Sequence, residues 1–124
     1  MGDRMIPPDY FSVEPYWRNI FENVPAVQFN HRILAIITLL AVVSLCVCSH
    51  FFCKNERLLR TIYVMTTLAI VQFLLGVLTL VNFVPEGLAV AHQFIGLCLF
   101  GTSVVISWGV SIPRGYALGQ AKNI

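Results

Sequence analysis

Three long apolar stretches constrain the fold of this chain more than any other feature of its sequence. They run from Ile33 to about Cys53, from about Leu58 or Thr61 to Val84, and from about Leu88 to Ile112. With the second counted from Thr61, none of them contains an aspartate, glutamate, lysine or arginine. Because a transmembrane helix needs about 20 consecutive, predominantly apolar residues, the sequence predicts three membrane-spanning helices.

The composition agrees with this prediction. Of the 124 residues, 57% are hydrophobic and 11% are charged, whereas soluble domains carry about 25% charged residues. The net charge of +2 and the lack of a basic tract give no indication of a nucleic-acid partner. We therefore expect an all-α membrane protein with one domain, whose partners include the lipid bilayer.

Two short connections separate the apolar stretches, and they predict how the helices are arranged. Cys53–Arg60 is charged, and Asn82–Gly87 contains the helix-ending residues Pro85 and Gly87. Tight connections make neighbouring helices antiparallel, so the first and third helices should start on the same side. An excess of basic residues on one side predicts the matrix or cytoplasmic face. That side holds Lys54, Arg57, Arg60, Arg114 and Lys122, against Arg4, Arg18 and Arg32 on the other.

The segment from Met1 to Gln28 differs from the rest, because it mixes prolines, aromatic residues and charges. It is typical of an extramembrane loop or a short interfacial helix with Tyr16, Trp17 and Phe21 at headgroup level. A chain that begins with such a loop looks truncated at its front. We expect an outer-face loop over 1–30, a three-helix membrane domain over 31–113 and an inner-face tail over 114–124.

The three histidines are predicted to lie at two depths. His31 directly precedes the first apolar run, and His92 lies about one turn into the third helix. If these helices run in the same direction, both histidines lie near the outer face. His50 lies roughly 28 Å further along the first helix axis than His31, at 1.5 Å per residue. His50 is therefore expected at the inner face, and only His31 and His92 can share a ligand.

Two imidazoles at equal depth on separate helices can occupy both axial positions of a haem iron. Helix bundles commonly hold such sites between facing helices. Arg32 is then placed to pair with a haem propionate, because a guanidinium matches a carboxylate. Two alternatives stay open: interfacial histidines bonded to water or backbone, and a metal other than haem iron.

Gln72 and Gly76 lie four residues apart and so share one face of the second helix. In one interpretation, Gly76 permits close helix packing and Gln72 makes an interhelical hydrogen bond. In the other, both residues line the pocket of a flat macrocycle. Gly96 and Gly101 in the third helix are expected to serve packing. The cysteines are expected to act as small apolar residues.

Three segments resemble the C-terminal half of the heme A synthase family, in its mitochondrial form. They are "WRNIFENVPAVQFNHRILA" (17–35), "VQFLLGVLTLVNFVP" (71–85) and "LAVAHQFIGLCL" (88–99), and "IPPD" (6–9) is similar too. The resemblance implies a parent protein of eight membrane helices in two halves, each with a histidine pair. This chain would supply three helices of the C-terminal, four-helix haem-binding bundle in the mitochondrial inner membrane, for cytochrome c oxidase assembly.

By that resemblance, His31 and His92 ligate haem b as a bis-histidine pair. The family oxidises a methyl group of haem O to the formyl group of haem A, a reaction that the resemblance places in the other half. Gln28 stands where that half has a glutamate, and a glutamine cannot act as a general acid or base. Asn30 stands where the family often has an aspartate. No catalytic residue is assigned, and the fragment alone is expected to be inactive.

The implied partners are haem, the missing half or a second copy, haem O synthase and electron-donor proteins. Glu22 and Asn23 are expected to order the loop over the haem. Two other functions stay open: a non-catalytic haem-binding or assembly subunit, and a membrane anchor without a cofactor.

Overall fold

A computed structural model describes Pro7 and residues 9–111. This part of the chain contains a short 3₁₀ helix and three long α-helices, and no strand. The helices are the 3₁₀ helix Tyr16–Ile20, α1 (Val24–Phe52), α2 (Glu56–Val81) and α3 (Glu86–Ser111). The predictions for Arg4, for Ile6 and Pro8 of "IPPD" and for the tail 114–124 lie outside the described residues.

Each α-helix is long and apolar enough to cross a membrane, judged by its length and composition. Large apolar side chains are exposed along all three, as lipid contact requires: Leu40 is 62% exposed, Leu74 54% and Trp108 70%. This confirms the prediction of an all-α protein with three membrane-spanning helices. The spans begin and end within a few residues of the predicted bounds, except at the start of α1.

The helix α1 begins at Val24, well before the predicted start at Ile33. The Oδ1 of Asn23 accepts a hydrogen bond from the backbone N–H of Ala26 at 3.3 Å, which is the geometry of a helix N-cap. Pro25 follows in the first turn, where its missing N–H costs no hydrogen bond. The prediction started the helix too late, because it followed the apolar run. The polar residues before that run therefore lie inside α1: Gln28, Asn30, His31 and Arg32.

The chain divides into two compact units at residues 40 and 41. In the second unit, a small core forms from Ile62, Met65 and Ile106, with partly buried apolar neighbours packed around it. Asn55 starts α2, since its Oδ1 accepts from the backbone N–H groups of Arg57 and Leu58 at 3.1 and 3.2 Å.

α2 and α3 pack against each other as an antiparallel pair. Near the start of α2, Leu58 approaches Gly109 at the end of α3. Further along α2, Gln72 approaches His92 in the second turn of α3. This arrangement confirms the antiparallel order that the short connection between the two helices predicted.

Two buried asparagines organise the first unit ahead of α1. Asn19 is 1% exposed and Asn23 is 5% exposed. Asn19 Nδ2 donates to the carbonyls of Val13 at 2.6 Å and Tyr16 at 2.9 Å, and Asn19 Oδ1 accepts from Val13 N at 3.0 Å. Asn23 Nδ2 lies 2.9 Å from Asn19 Oδ1 and 2.6 Å from the carbonyl of Asp9. The two amides hold the loop against the start of α1.

Of the two residues expected to order this loop, Asn23 bonds across it to the carbonyl of Asp9. Glu22 instead pairs with Arg18 one turn away, at 2.6 and 2.9 Å. Its hydrogen bond, and then its charge, raise the pKa of Arg18. Such exposed pairs contribute little to stability. Asn19, rather than Glu22, makes the further hydrogen bonds that order the loop.

Replacing Asn19 with alanine is expected to loosen the loop, because the Val13 amide and the Asn23 side chain both lose a buried partner. An unsatisfied buried group costs about 1–3 kcal/mol, so the Val13 amide should exchange with solvent on the order of 10-fold faster. Hydrogen exchange measured by mass spectrometry tests this. Asn82→Ala changes an exposed asparagine and is the control. Equal exchange at Val13 in both variants would contradict the network.

Candidate functional site

His92 lies in the second turn of α3, and its imidazole packs onto Gly76 of α2. A Cβ atom at Gly76 would approach the His92 Cε1 atom to 3.0 Å and its Nδ1 atom to 3.5 Å. The approach to Cε1 is tighter than most van der Waals contacts, whereas the approach to Nδ1 is an ordinary one. A side chain at this position would therefore have to shift the ring by a few tenths of an ångström.

Gln72 binds the same imidazole from one turn away on α2. Its Nε2 atom lies 3.1 Å from His92 Nε2. Its Oε1 atom is buried and has no hydrogen-bond partner among the described residues. A buried acceptor without a donor is costly and calls for an explanation.

The two helices exchange these contacts reciprocally. Just as Gly76 seats His92, Gly96 of α3 seats Gln72, since a Cβ at Gly96 would approach Gln72 Nε2 to 3.0 Å. Each helix therefore carries a polar residue and, four residues later, a glycine that receives the polar residue of the other helix. The packing interpretation of Gln72 and Gly76 is confirmed, and the partner of Gln72 is the predicted ligand His92. The pocket interpretation stays a prediction.

His31 and Arg32 are exposed residues of α1 in the first unit, whereas His92 belongs to the second unit. Their neighbour Asn30 is partly buried and accepts a hydrogen bond from the Tyr10 hydroxyl at 2.7 Å. The side-chain oxygen of Asn30 therefore accepts a hydrogen bond at a position where the family often has an aspartate. The pairing of His31 with His92 and the role of Arg32 stay predictions.

His50 lies apart from the Gln72–His92 contact within the second unit. Its Nδ1 atom lies 2.7 Å from the Tyr63 hydroxyl, near the start of α2. Tyr63 precedes Gln72 by roughly 13 Å along the helix axis, at 1.5 Å per residue. His50 is thus engaged elsewhere, which agrees with excluding it from the ligand pair.

The described residues contain no group of three or more histidine, cysteine, aspartate or glutamate side chains placed to hold a metal ion.

Asn19 was not predicted to take part in these networks, and Gly96 was predicted to serve packing without its partner Gln72 being identified. The pattern that reveals Gly96 was present, because His92 and Gly96 repeat the spacing of Gln72 and Gly76. Only the antiparallel pairing of the two helices shows that the repeats interlock. Asn19 and Asn23 are also spaced by one helical turn, but they lie outside regular α-helix, so the spacing predicted no contact.

Comparison with known proteins places the chain in a family. A model of the COX15-CtaA family, described as cytochrome oxidase assembly protein, matches residues 1–104. Heme A synthase of Wolbachia pipientis wMel is 41% identical over 104 residues, covering 84% of this chain and 28% of the relative. Heme A synthase COX15 of Homo sapiens is 39% identical over 99 residues, covering 80% and 24%.

Heme A synthase COX15 of Arabidopsis thaliana is 35% identical over 124 residues, covering 100% of this chain and 27% of the relative. The chain thus spans about a quarter of the length of the curated relatives it matches. No solved structure matches it. With most of its length inside the family match and its three membrane-spanning helices in place, the chain belongs to the COX15-CtaA family of cytochrome oxidase assembly proteins.

Proposed function

We propose that this chain is a haem-binding, C-terminal portion of a heme A synthase and serves haem A biosynthesis for cytochrome oxidase assembly. Its membership of the COX15-CtaA family and its similarity to proteins named heme A synthase support this proposal. The compartment is the mitochondrial inner membrane, as the similarity to human, bovine and plant COX15 suggests. The chain acts there with the remainder of the enzyme.

In this proposal His31 and His92 would hold the iron of a haem b, and Arg32 would hold a propionate. The observation that carries it is the packing of His92 against Gly76 and Gln72. The imidazole lies over a glycine and contacts Gln72, whose buried Oε1 atom has no hydrogen-bond partner among the described residues. Its Nε2 atom lies 3.1 Å from the neutral amide of Gln72, which a metal can displace. The residues present therefore fit a haem.

A bound haem would supply one-electron transfer, with a potential set by its axial ligands and their hydrogen bonds. The chain's own residues position it. Gly76 and the backbone of α2 fix the plane of the His92 ring, and the apolar helices exclude water. Gln28 holds no proton to exchange near neutral pH. Oxidation of the haem O methyl group therefore belongs to the missing part of the enzyme, with haem O synthase and electron donors as further partners.

Titrating the purified, detergent-solubilised chain with hemin tests the ligand assignment. We expect a six-coordinate, low-spin spectrum with a sharp α band after reduction, because two imidazoles bind the iron. A spectrum no different from hemin in empty detergent would refute haem binding and leave a membrane anchor. Co-expression with the remaining half of a heme A synthase then tests the enzyme. Haem A formed only with both parts supports the proposal, whereas haem loading without haem A favours an assembly subunit.

A further inference from the structure

The Gln72–His92 contact joins Gln72 Nε2 and His92 Nε2, which lie 3.1 Å apart. The nitrogen of a carboxamide donates hydrogen bonds and does not accept them. With the amide in this orientation the histidine nitrogen is the acceptor, which corresponds to the tautomer of the neutral imidazole with its proton on Nδ1.

The contact also uses the lone pair that a metal at Nε2 would need. An interaction that exists only in the metal-free state lowers the affinity of the metal-bound state by its net free energy. The amide also packs against α3 at a second point, because a Cβ atom at Gly96 would approach its Nε2 atom to 3.0 Å. The side chain is thus positioned for His92.

We propose that Gln72 is a positioning residue that occupies His92 Nε2 until haem iron replaces it. The inference rests on the proposed function, since it takes His92 as a haem ligand. Gln72 keeps the ring in the Nδ1–H tautomer, which is the tautomer that Nε2 ligation requires. Haem binding then exchanges an amide for iron without moving a proton on the ring. Gln72 therefore makes haem binding at this site weaker and more readily reversible.

Gln72→Met tests the proposal, because methionine has a similar length and shape but no amide N–H. Two readouts are expected to change. Nitrogen NMR of histidine-labelled, haem-free chain at alkaline pH should show the Nδ1–H tautomer of His92 in the natural protein and a mixture of tautomers in the variant. Hemin should bind the variant about 2- to 10-fold more tightly, which corresponds to the loss of one neutral hydrogen bond.

Gln93→Met is the matched control, because Gln93 is the exposed neighbour of His92 on α3. It should change neither the tautomer nor the affinity. The proposal is overturned if the natural, haem-free protein carries the His92 proton on Nε2, or if Gln72→Met binds hemin no more tightly than the natural chain. If hemin fails to bind at all while the tautomer is as expected, the proposed function fails and the Gln72–His92 contact stands as a packing feature.

Discussion

Replacing His92 with alanine is expected to abolish the low-spin spectrum of the hemin-loaded chain, and His31→Ala should have the same effect. Each variant removes one of two proposed axial ligands, which leaves the iron five-coordinate and high-spin. Changes outside the ligand set typically cost 10- to 100-fold in metal affinity, so loss of a ligand should cost more than about 100-fold. Absorption spectroscopy during a hemin titration measures both the spin state and the affinity.

His50→Ala is the matched control for these variants. His50 is bonded to Tyr63 and is engaged away from the Gln72–His92 contact. Its replacement should leave the low-spin spectrum unchanged. Adding free imidazole should partly restore the spectrum of His92→Ala, since the variant leaves the space above Gly76 open. A low-spin spectrum that survives in His92→Ala and disappears in His50→Ala would remove the proposed site.

Replacing Gly76 with leucine is expected to have the second-largest effect. The first added carbon would already lie 3.0 Å from His92 Cε1, and the remaining carbons extend into the same space. Overpacking of this kind typically costs about 1–3 kcal/mol. The ring must move away from α2 and so leaves the position from which it is proposed to bind iron. We therefore expect a destabilised α2–α3 pair, measured by unfolding in increasing concentrations of a denaturing detergent, and hemin affinity lowered on the order of 10-fold or more.

Gly101→Leu is the matched control, and it should lower neither the stability nor the hemin affinity. Gly101 is exposed on α3, and a Cβ atom there meets no other atom within 4 Å. Both variants add the same apolar side chain to a membrane-spanning helix. Equal losses of stability or hemin affinity in the two would show that leucine acts through helix properties in general and not through the seat of His92.

Much of the fold follows from local sequence. Three charge-poor apolar stretches predict three helices, because in lipid a helix satisfies every backbone group within its own segment. The short turn that contains Pro85 and Gly87 predicts that α2 and α3 are antiparallel. The start of α1 was misplaced because hydropathy does not detect the capping side chain of Asn23. A prediction from cap chemistry would have placed the helix start where it lies.

The candidate site likewise has features that the local sequence predicts and features that only helix packing decides. The residue types by themselves determined which side chains can ligate iron and which glycine leaves space, since these are properties of single side chains and of spacing along one helix. Only the tertiary structure decided that Gln72 reaches His92 Nε2 and that Gly96 mirrors Gly76. Those contacts depend on how far two packed helices are rotated and shifted relative to each other. That offset arises from the fit of both surfaces together, and neither helix sequence contains it alone.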